Sequence, residues 1–317
     1  MQTYTLSADN VTFSELSQNW ESSISLGVKT STAAHYHYTL VHYILPVLGN
    51  CRVQDLSASL LEQGLLQIIA PKDGCHKPLA HSMARECLAL VRRICRYAAH
   101  IRLMHPIEIE IKLPSTAPKP AQVLSQAEQK CIVFFAEKSP TARKVGLLLM
   151  MQMGLRIGEV CGLQWGDFDL TAGVLSVRRT VKRIYVANAQ TKVVVQTPKT
   201  HSSTRQIPIP QGILQILNRL YSSHAQQEWF LSGNADKPVE PRCYRKSLHS
   251  YLRRASVPTV NPHALRHTFA TTCLQAGCNV KTLSELLGHA SSDITMKRYV
   301  HTCWDWKRAE MDRIFAQ

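Results

Sequence analysis

Four separated stretches of the sequence carry cationic or phenolic side chains of the kinds that bind or attack a phosphate. Arg156 lies in GLRIGE, while His263 and Arg266 lie three residues apart in HALRH. His289 follows LLG, and Tyr299 comes ten residues later. Guanidinium groups present paired N–H donors to phosphate oxygens, and a phenolic oxygen can act as a nucleophile. These stretches are therefore candidates for the chemistry of the chain.

The fourth stretch, TPKTHSSTR, places Lys199 in a polar turn between two strand patterns. Each residue alone has an ordinary structural explanation. Arg156 can pair with Glu159, Lys199 can be solvated in its turn, His289 can cap a helix and Tyr299 can be half-buried. Taken in order, two arginines, two histidines, a lysine and a tyrosine predict a cationic pocket beside one phenol. Such a pocket fits a phosphate.

The elements that position these residues include a helix predicted for NPHALRHTFA. Asn261 can cap this helix, and Pro262 suits its first position. His263 and Arg266 then share one face, while the apolar stripe of the helix enters the core. Further along the chain, Gly288 is predicted to end a helix just before the next histidine.

Composition narrows the class of partner. The chain has 317 residues, 45% of them hydrophobic, which is enough for two globular domains. Lys and Arg total 37 against 22 acidic residues, a formal net charge of +15. This charge favours an anionic partner over a neutral metabolite, with nucleic acid the first candidate. A generally basic protein is the open alternative.

Other composition signals exclude several kinds of site. The ten cysteines include no CxxC pair, which argues against a disulfide framework or a structural zinc site. His301 and Cys303 form the only metal-like local arrangement, and we expect neither a metal nor a cofactor; no GxGxxG or P-loop is present. Residues 1–20 do not follow a secretory signal pattern, and no apolar run suits a membrane span. We therefore expect a cytoplasmic, nucleoid-associated protein with no membrane partner.

The N-terminal region is predicted to be a helical domain over residues 1–112. Thr12 and Glu15 form a capping-box signature before the first helix. A second helix is expected over about residues 31–45, stopping near Pro46, and a longer helical pattern covers residues 80–103.

A proline-rich stretch predicts a linker at residues 113–123, followed by a second domain over residues 124–317. That domain begins with a second capping-box signature at Ser125 and Glu128. Strand patterns in GVLSVRRTV, KVVVQT and RQIPIP predict a small antiparallel sheet among the helices. Helices are expected near residues 126–137, 140–153, 211–223, 240–255, 262–276 and 280–287. The fold class is therefore mainly α with a small antiparallel β-sheet (α+β).

The ordered motifs resemble the tyrosine recombinase, or phage integrase, family. The likeness covers residues 124–301 and includes the GLR-x-x-E segment, the hairpin lysine, the H-x-x-R box and the LLGH box followed by the tyrosine. The N-terminal region is similar in length, helical pattern and position to the helical core-binding domain with which the family clamps DNA.

The resemblance implies a set of six catalytic residues, none of which departs from the family in type: Arg156, Lys199, His263, Arg266, His289 and Tyr299. It also implies that Glu159 orients Arg156. Tyr299 would form a covalent 3′-phosphotyrosine intermediate, His263 would assist its deprotonation and Lys199 would protonate the leaving 5′-oxygen. The arginines supply the positive charge that a metal brings elsewhere, so no metal is implied.

The same resemblance implies a site-specific recombinase of the integrase, resolvase or invertase type, as found on mobile elements. Such enzymes act on double-stranded DNA recombination sites as homotetramers, through a Holliday junction. Apolar residues between 304 and 315 are expected to dock the C-terminal tail onto a neighbouring protomer. Only about ten residues precede the first helical pattern, which favours simple core sites. Candidate DNA-contacting residues are Arg92, Arg93, Arg96, Arg178, Arg179, Lys182, Arg183, Arg242, Arg245 and Lys246.

Two other functions stay open. A type IB topoisomerase-like enzyme shares the phosphotyrosine chemistry but rejoins the original strand. A catalytically idle DNA-binding regulator would keep the basic surface without the reaction. A metal-dependent nuclease is disfavoured, because no carboxylate cluster accompanies the histidines.

Overall fold

The computed structural model describes residues 10–71, 77–114, 122–186, 190–197, 204–221, 224–289 and 291–299, together with residues 308, 311, 312, 314 and 315. The side chains of residues 294 and 297–299 lie outside this description. The chain divides into two compact units. The first comprises Met1–Lys119 with Ile184–Lys192, and the second comprises Pro120–Arg183 with Val193–Gln317.

Within its N-terminal segment, the described part of the first unit is mainly helical. Its helices are α1 (Phe13–Ile24), α2 (Thr30–Thr39), α3 (Leu45–Leu48), α4 (Ala58–Ile69) and α5 (His81–His100). The capping box that the sequence predicts before α1 is confirmed: the Thr12 N–H donates to Glu15 Oε2 at 2.9 Å, and the Glu15 N–H donates to Thr12 Oγ1 at 3.3 Å. Phe13 and Leu16 are fully buried and anchor the core of this unit.

The second predicted helix is wrong in its ending. α2 stops at Thr39, a π-helical turn spans Leu40–Ile44, and α3 then runs through Pro46. Pro46 lies in the first turn of α3, where a helix leaves its N–H groups without intrahelical partners, so the missing donor costs nothing. The proline therefore begins a helix here instead of ending one.

The second unit combines helices with short strands. Its helices are α6 (Gln126–Lys138), α7 (Ala142–Gln152), α8 (Ile157–Cys161), α9 (Gln211–Leu220), α10 (Pro241–Arg254), α11 (Pro262–Gln275), α12 (Val280–Leu287) and α13 (Ser292–Tyr299). The predicted capping box at Ser125 and Glu128 and the predicted cap at Asn261 are both confirmed. These bounds agree closely with the helices expected from periodicity, while α8 and α13 were not anticipated.

The strands of the second half of the chain are β1 (Phe168–Asp169), β2 (Val174–Val177), β3 (Thr180–Tyr185), β4 (Thr191–Gln196) and β5 (Arg205–Pro208). β1, β2 and β5 form a three-stranded antiparallel sheet in that order, with Leu175 opposite Ile207. β3 and β4 form a separate two-stranded sheet. The mainly α class with small antiparallel sheets is confirmed, although the strands divide between two sheets instead of one.

α7 is the central helix of the second unit. Every residue from 144 to 151 is buried, as expected for a helix surrounded by protein on all sides. α11 packs against α7, and its apolar residues Leu265 and Phe269 are buried as the sequence predicts. Arg156 follows the end of α7 and Arg266 lies on α11, so this helix pair fixes both arginines. No described helix combines the length and apolar character that a bilayer crossing requires.

Candidate active site

Arg156 lies at the start of α8 and is held by Glu159, one turn further on. The Arg156 backbone N–H donates to Glu159 Oε2 at 2.9 Å, and its Nη1 donates to Oε1 at 2.7 Å. The arginine side chain is 36% exposed, whereas the glutamate is 3% exposed. The carboxylate therefore fixes one edge of the guanidinium group and leaves part of it open to a ligand.

A second arginine, which the sequence reasoning missed, binds the same carboxylate. Arg205 begins β5 and is 6% exposed. Its Nη2 lies 3.1 Å from Glu159 Oε2 and its Nη1 lies 3.3 Å from Oε1. Burial raises the pKa of Glu159, but the guanidinium groups of Arg205 and Arg156 outweigh this effect and hold the pKa below its ordinary value. Glu159 is therefore a buried carboxylate ion.

Arg266 joins three segments at the centre of the site. Its Nη1 donates to the Gly154 carbonyl at 2.7 Å, and its Nη2 donates to the Leu287 carbonyl at 2.7 Å and contacts His289 Nε2 at 2.9 Å. The side chain is only 2% exposed. The helix periodicity suggested that Arg266 points away from the core, but backbone carbonyls at this depth accept its N–H groups, so the arginine is buried in the unit.

The contacts of His289 define which ring nitrogen carries the proton. A guanidinium group can only donate, so Nε2 of His289 accepts from Arg266 and carries no proton. The Nδ1–H then donates to Thr295 Oγ1, 2.8 Å away on α13. His289 is 8% exposed and Thr295 is fully buried. The ring is thus a neutral imidazole, oriented from both sides.

Two glycines shape the backbone around these side chains. Gly154 has φ +68°, and a Cβ atom there would lie 2.4 Å from Phe269 Cδ1 and 2.9 Å from Leu287 Cδ2. Gly288 ends α12 with φ 64°, as the sequence predicts. The left-handed conformation at both positions favours glycine. At Gly154 there is also no room for a side chain. Together they bring Arg156 and His289 toward Arg266.

The other predicted catalytic residues have different outcomes. His263 lies exposed in the first turn of α11, with its ring centroid 5.5 Å from that of His267. Tyr299 is the last residue of α13, and its side chain lies outside the described residues. Lys199 also lies outside them. The structure therefore brings together Arg156, Arg266 and His289. The catalytic role of His263 and the places of Lys199 and Tyr299 in the site stay predictions.

Positive charge surrounds Glu159 in the described part of the site. Among the residues that the structure describes, Arg156 and Arg205 bind the Glu159 carboxylate, and the positive charge of Arg266 also lowers the pKa of that carboxyl. Charge of this sign in a partly buried site stabilises an anion such as a phosphodiester. In the described part of the chain, no group of three or more His, Cys, Asp or Glu side chains could hold a metal ion. The predicted metal-like pair His301 and Cys303 lies outside that part.

The candidate DNA-contacting arginines of the first unit lie on α5. Arg92 Nη2 donates to the Ile109 carbonyl at 2.5 Å, so this arginine is committed in part to its own fold. Arg93 donates to the Tyr36 hydroxyl and lies over that ring, 5.3 Å from its centroid. Arg96 is exposed.

The candidates of the second half of the chain divide into paired and exposed groups. Arg179 pairs with buried Asp167, and Arg183 makes a two-point contact with Glu240 at 2.5 and 2.7 Å. Arg178 is 58% exposed and lies 4.0 Å from Asp167. Lys182 is half-buried, whereas the α10 candidates are all exposed: Arg242, Arg245 and Lys246. The contacts of all these residues with DNA stay predictions.

Comparison with known proteins identifies family models that match both parts of the chain. Residues 122–303 match the model described as the phage integrase family, and residues 12–63 match the phage integrase N-terminal SAM-like domain. A tyrosine recombinase XerC-like protein of Caldanaerobacter subterraneus subsp. tengcongensis is 33% identical over 176 residues, covering 50% of this chain and 45% of that protein. The chain spans about half the length of curated relatives that it matches.

Two solved structures share the fold. The Tn1549 transposon integrase in complex with transposon right end DNA has a TM-score of 0.73 and 22% identity, covering 97% of this chain and 100% of that chain. A lambda integrase tetramer bound to a Holliday junction has a TM-score of 0.65 and 16% identity, covering 94% of this chain and 81% of that chain. At these identities the likeness is one of fold.

Proposed function

Because the chain belongs to the phage integrase family, we propose that it is a site-specific DNA recombinase that cuts and rejoins double-stranded DNA through a 3′-phosphotyrosine intermediate. The observation that carries this proposal is that Arg156 is held by the buried Glu159 carboxylate, while Arg266 contacts both the Gly154 carbonyl, two residues before Arg156, and the ring of His289. These side chains supply hydrogen-bond donors for one phosphate, the scissile phosphate of the DNA. A strand-transfer reaction that uses no nucleotide cofactor requires such a site.

In the proposed reaction, the Tyr299 oxygen attacks the scissile phosphorus and the bond to the 5′-oxygen breaks. His263 assists removal of the phenolic proton, and Lys199 gives a proton to the leaving 5′-oxygen. Arg156 and Arg266 stabilise the charge that builds on the nonbridging oxygens. The phosphotyrosine keeps the bond energy, so a hydroxyl of another strand can displace the tyrosine and restore the DNA.

His289 adds one donor once its Nε2 gains a proton. This nitrogen accepts from Arg266, so a phosphate that takes over the Arg266 N–H leaves Nε2 open to protonation. We propose that the phosphate replaces His289 as the hydrogen-bond acceptor of Arg266. Glu159 keeps Arg156 in place throughout.

The proposed partners are double-stranded DNA sites and further copies of the chain. Exposed charge supports DNA binding by residues 1–112 and 124–317, joined by the linker at 113–123, and we propose that the protein acts at the nucleoid. The solved relatives include a complex with transposon end DNA and a tetramer on a Holliday junction, which supports a homotetramer here.

The C-terminal tail is the proposed contact between protomers. Met311 and Ile314 are each 56% exposed and Phe315 is 68% exposed, an apolar set that a second copy can cover. Trp304 and Trp306 lie outside the described residues. Deleting residues 303–317 is expected to impair pairing of two DNA sites on native gels more than binding to one site. Equal loss of both would contradict the proposed tail contact.

The topoisomerase-like enzyme and the idle regulator are not favoured. The matching relatives are a tyrosine recombinase and transposon or phage integrases. Recombinant products distinguish the recombinase from the topoisomerase-like enzyme, which would relax supercoils without exchanging strands.

A suicide substrate tests the proposed reaction. A duplex nicked next to the cleavage site loses a short 5′-hydroxyl fragment after cleavage, which traps the covalent adduct on a denaturing gel. Wild-type protein is expected to form the adduct, whereas Tyr299→Phe binds the same duplex and forms none. An adduct of equal yield from Tyr299→Phe would overturn the assignment.

A further inference from the structure

We propose that Arg205 is a positioning residue for the reaction, one that fixes Arg156 through Glu159 and fixes the turn before His289 through a backbone carbonyl. This inference rests on the proposed function. Arg205 ends the stretch TPKTHSSTR, which carries the predicted lysine, and begins the strand pattern RQIPIP, but the sequence alone assigns it no role in the site. Its contacts join β5, α8 and α12, the elements on which the site depends.

The first contact controls how Arg156 uses its donors. Arg205 presents both terminal nitrogens to Glu159, at 3.1 and 3.3 Å, while Arg156 gives that carboxylate one side-chain N–H, at 2.7 Å. Arginine and carboxylate groups favour two parallel hydrogen bonds. If Arg205 is removed, Glu159 is free to take a second N–H of Arg156, which turns the guanidinium group toward the carboxylate and away from a phosphate.

The second contact controls the end of α12. Arg205 Nε donates to the Leu286 carbonyl at 2.7 Å, and Arg266 Nη2 donates to the next carbonyl, that of Leu287, at the same distance. The last carbonyls of a helix have no intrahelical partners and carry partial negative charge, so cations there are stabilising. Two arginines thus hold consecutive carbonyls just before Gly288 turns the chain into His289.

Burial separates the role of Arg205 from that of a phosphate ligand. Arg205 is 6% exposed and binds the buried carboxylate of Glu159 and the Leu286 carbonyl, whereas Arg156 is 36% exposed. Arg205 therefore acts behind the surface that receives DNA. Its removal should slow the chemical step without weakening DNA binding.

The experiment measures adduct formation on the nicked duplex in single turnovers at saturating protein. Arg205→Met is expected to slow this step about 100-fold, the order of loss that follows from a misplacement of about 1 Å, with an unchanged Kd for the duplex. Arg205→Lys keeps the charge but not the fork, so its rate should fall between those of Arg205→Met and the wild type. If Arg205→Met does not fold, Arg205→Lys carries the same comparison.

A second substrate separates positioning from stability. In a duplex with a methylphosphonate at the cleaved linkage, one nonbridging oxygen is a methyl group, so one of its two stereoisomers lacks the oxygen that Arg156 engages. On that isomer Arg205→Met should slow adduct formation by only about threefold or less. The reason is that the oxygen with which Arg156 interacts is already missing. Tyr244→Phe is the control for stability, since it removes a buried 2.7 Å hydrogen bond to the Arg143 carbonyl, remote in sequence from the site.

The outcomes are distinct. A wild-type adduct together with an unchanged rate for Arg205→Met would overturn the positioning role and leave the proposed function standing. Equal losses on the phosphodiester and on both methylphosphonate isomers, or a loss that Tyr244→Phe reproduces, would assign Arg205 to stability alone and overturn the inference. No adduct from the wild type would overturn the proposed function and this inference with it.

Discussion

The imidazole of His289 is oriented by donors and acceptors on both sides. Arg266 donates a hydrogen bond to Nε2, so Nδ1 carries the proton. The Nδ1–H donates a hydrogen bond to Thr295 Oγ1. All three side chains are buried, which prevents water from replacing either contact. The choice of ring nitrogen is thus set by Arg266, and the remaining N–H is accepted by a threonine that no catalytic motif contains.

Thr295→Val tests this arrangement, because valine has the same shape and no hydroxyl. The Nδ1–H loses its acceptor, and a lost orienting hydrogen bond of about 1.4 kcal/mol corresponds to about tenfold slower adduct formation. Thr295→Ser keeps the hydroxyl and is the matched control, expected to react at close to the wild-type rate. Equal rates for the valine and serine variants would show that Thr295 does not orient the ring.

Glu159 predicts a pH dependence of stability. Its pKa in the folded protein is lowered, so its contribution is fully present above the unfolded value of about 4.3 and is lost as the pH falls through the folded value. Urea denaturation from pH 7 down to pH 3 should show this acid loss. Glu159→Gln should be less stable at pH 7, by about 3 kcal/mol, and should show a shallower acid loss.

The exposed Glu137→Gln variant is the control for that series and should follow the wild-type curve. An acid loss of the same steepness in Glu159→Gln and the wild type would mean that other carboxylates carry the effect.

The sequence reveals the site residues unevenly. Arg156 with Glu159, and His263 with Arg266, are visible because each pair lies within one helical turn. The contact of Arg205 with Glu159 spans 46 residues and depends on where β5 lies beside α8, so local spacing does not show it. Residues that support a site from the interior are therefore harder to find from local sequence spacing than residues that touch the substrate, because tertiary packing brings the former into place.

At the level of elements, the site depends on close packing between the end of α7 and α11. Gly154 joins these elements to the Arg156 segment, with its carbonyl accepting from Arg266 and its α-carbon close to the Phe269 ring. A side chain at this position would meet both the ring and a left-handed backbone. Packing and catalysis therefore constrain the same residue.

Gly154→Ala should cost about 2–4 kcal/mol of unfolding free energy, part from the left-handed backbone and part from overpacking against Phe269. Gly277→Ala is the matched control, because Gly277 has φ +82° and nothing lies within 4 Å of its added Cβ. It should cost only about 1–2 kcal/mol. Urea denaturation compares the two, and equal losses would show that contact with Phe269 is unimportant.

Periodicity and capping signals predict the longer helices to within a few residues, because both signals lie in the sequence of the helix itself. α6 and α11 begin at their predicted caps, and α12 ends at its predicted glycine. The sequence-based predictions fail where contacts with other segments determine the local structure. Pro46 follows a π-helical turn, and the two residues of β1 are a strand only because β2 lies beside them.

At the level of the whole molecule, the charge of +15 predicts how affinity for DNA responds to salt. Each phosphate contact contributes about −0.9 to the slope of log K against log salt concentration. Arg245→Ala and Lys246→Ala on the exposed face of α10 should each reduce the steepness of that slope by about one. Lys138→Ala, an exposed change outside the candidate set, should leave it unchanged.

Fluorescence anisotropy across a salt series measures these slopes. Unchanged slopes for both α10 variants would remove that helix from the proposed DNA interface and leave the reaction itself untouched.

The most direct test of the account is to map the covalent bond between protein and DNA. Digestion of the trapped adduct with trypsin should release residues 299–307, YVHTCWDWK, which contain one tyrosine, one histidine and one cysteine. Fragmentation in the mass spectrometer is expected to place the nucleotide phosphate on the Tyr299 oxygen. A phosphate found on His301, on Cys303 or on any other peptide would contradict it.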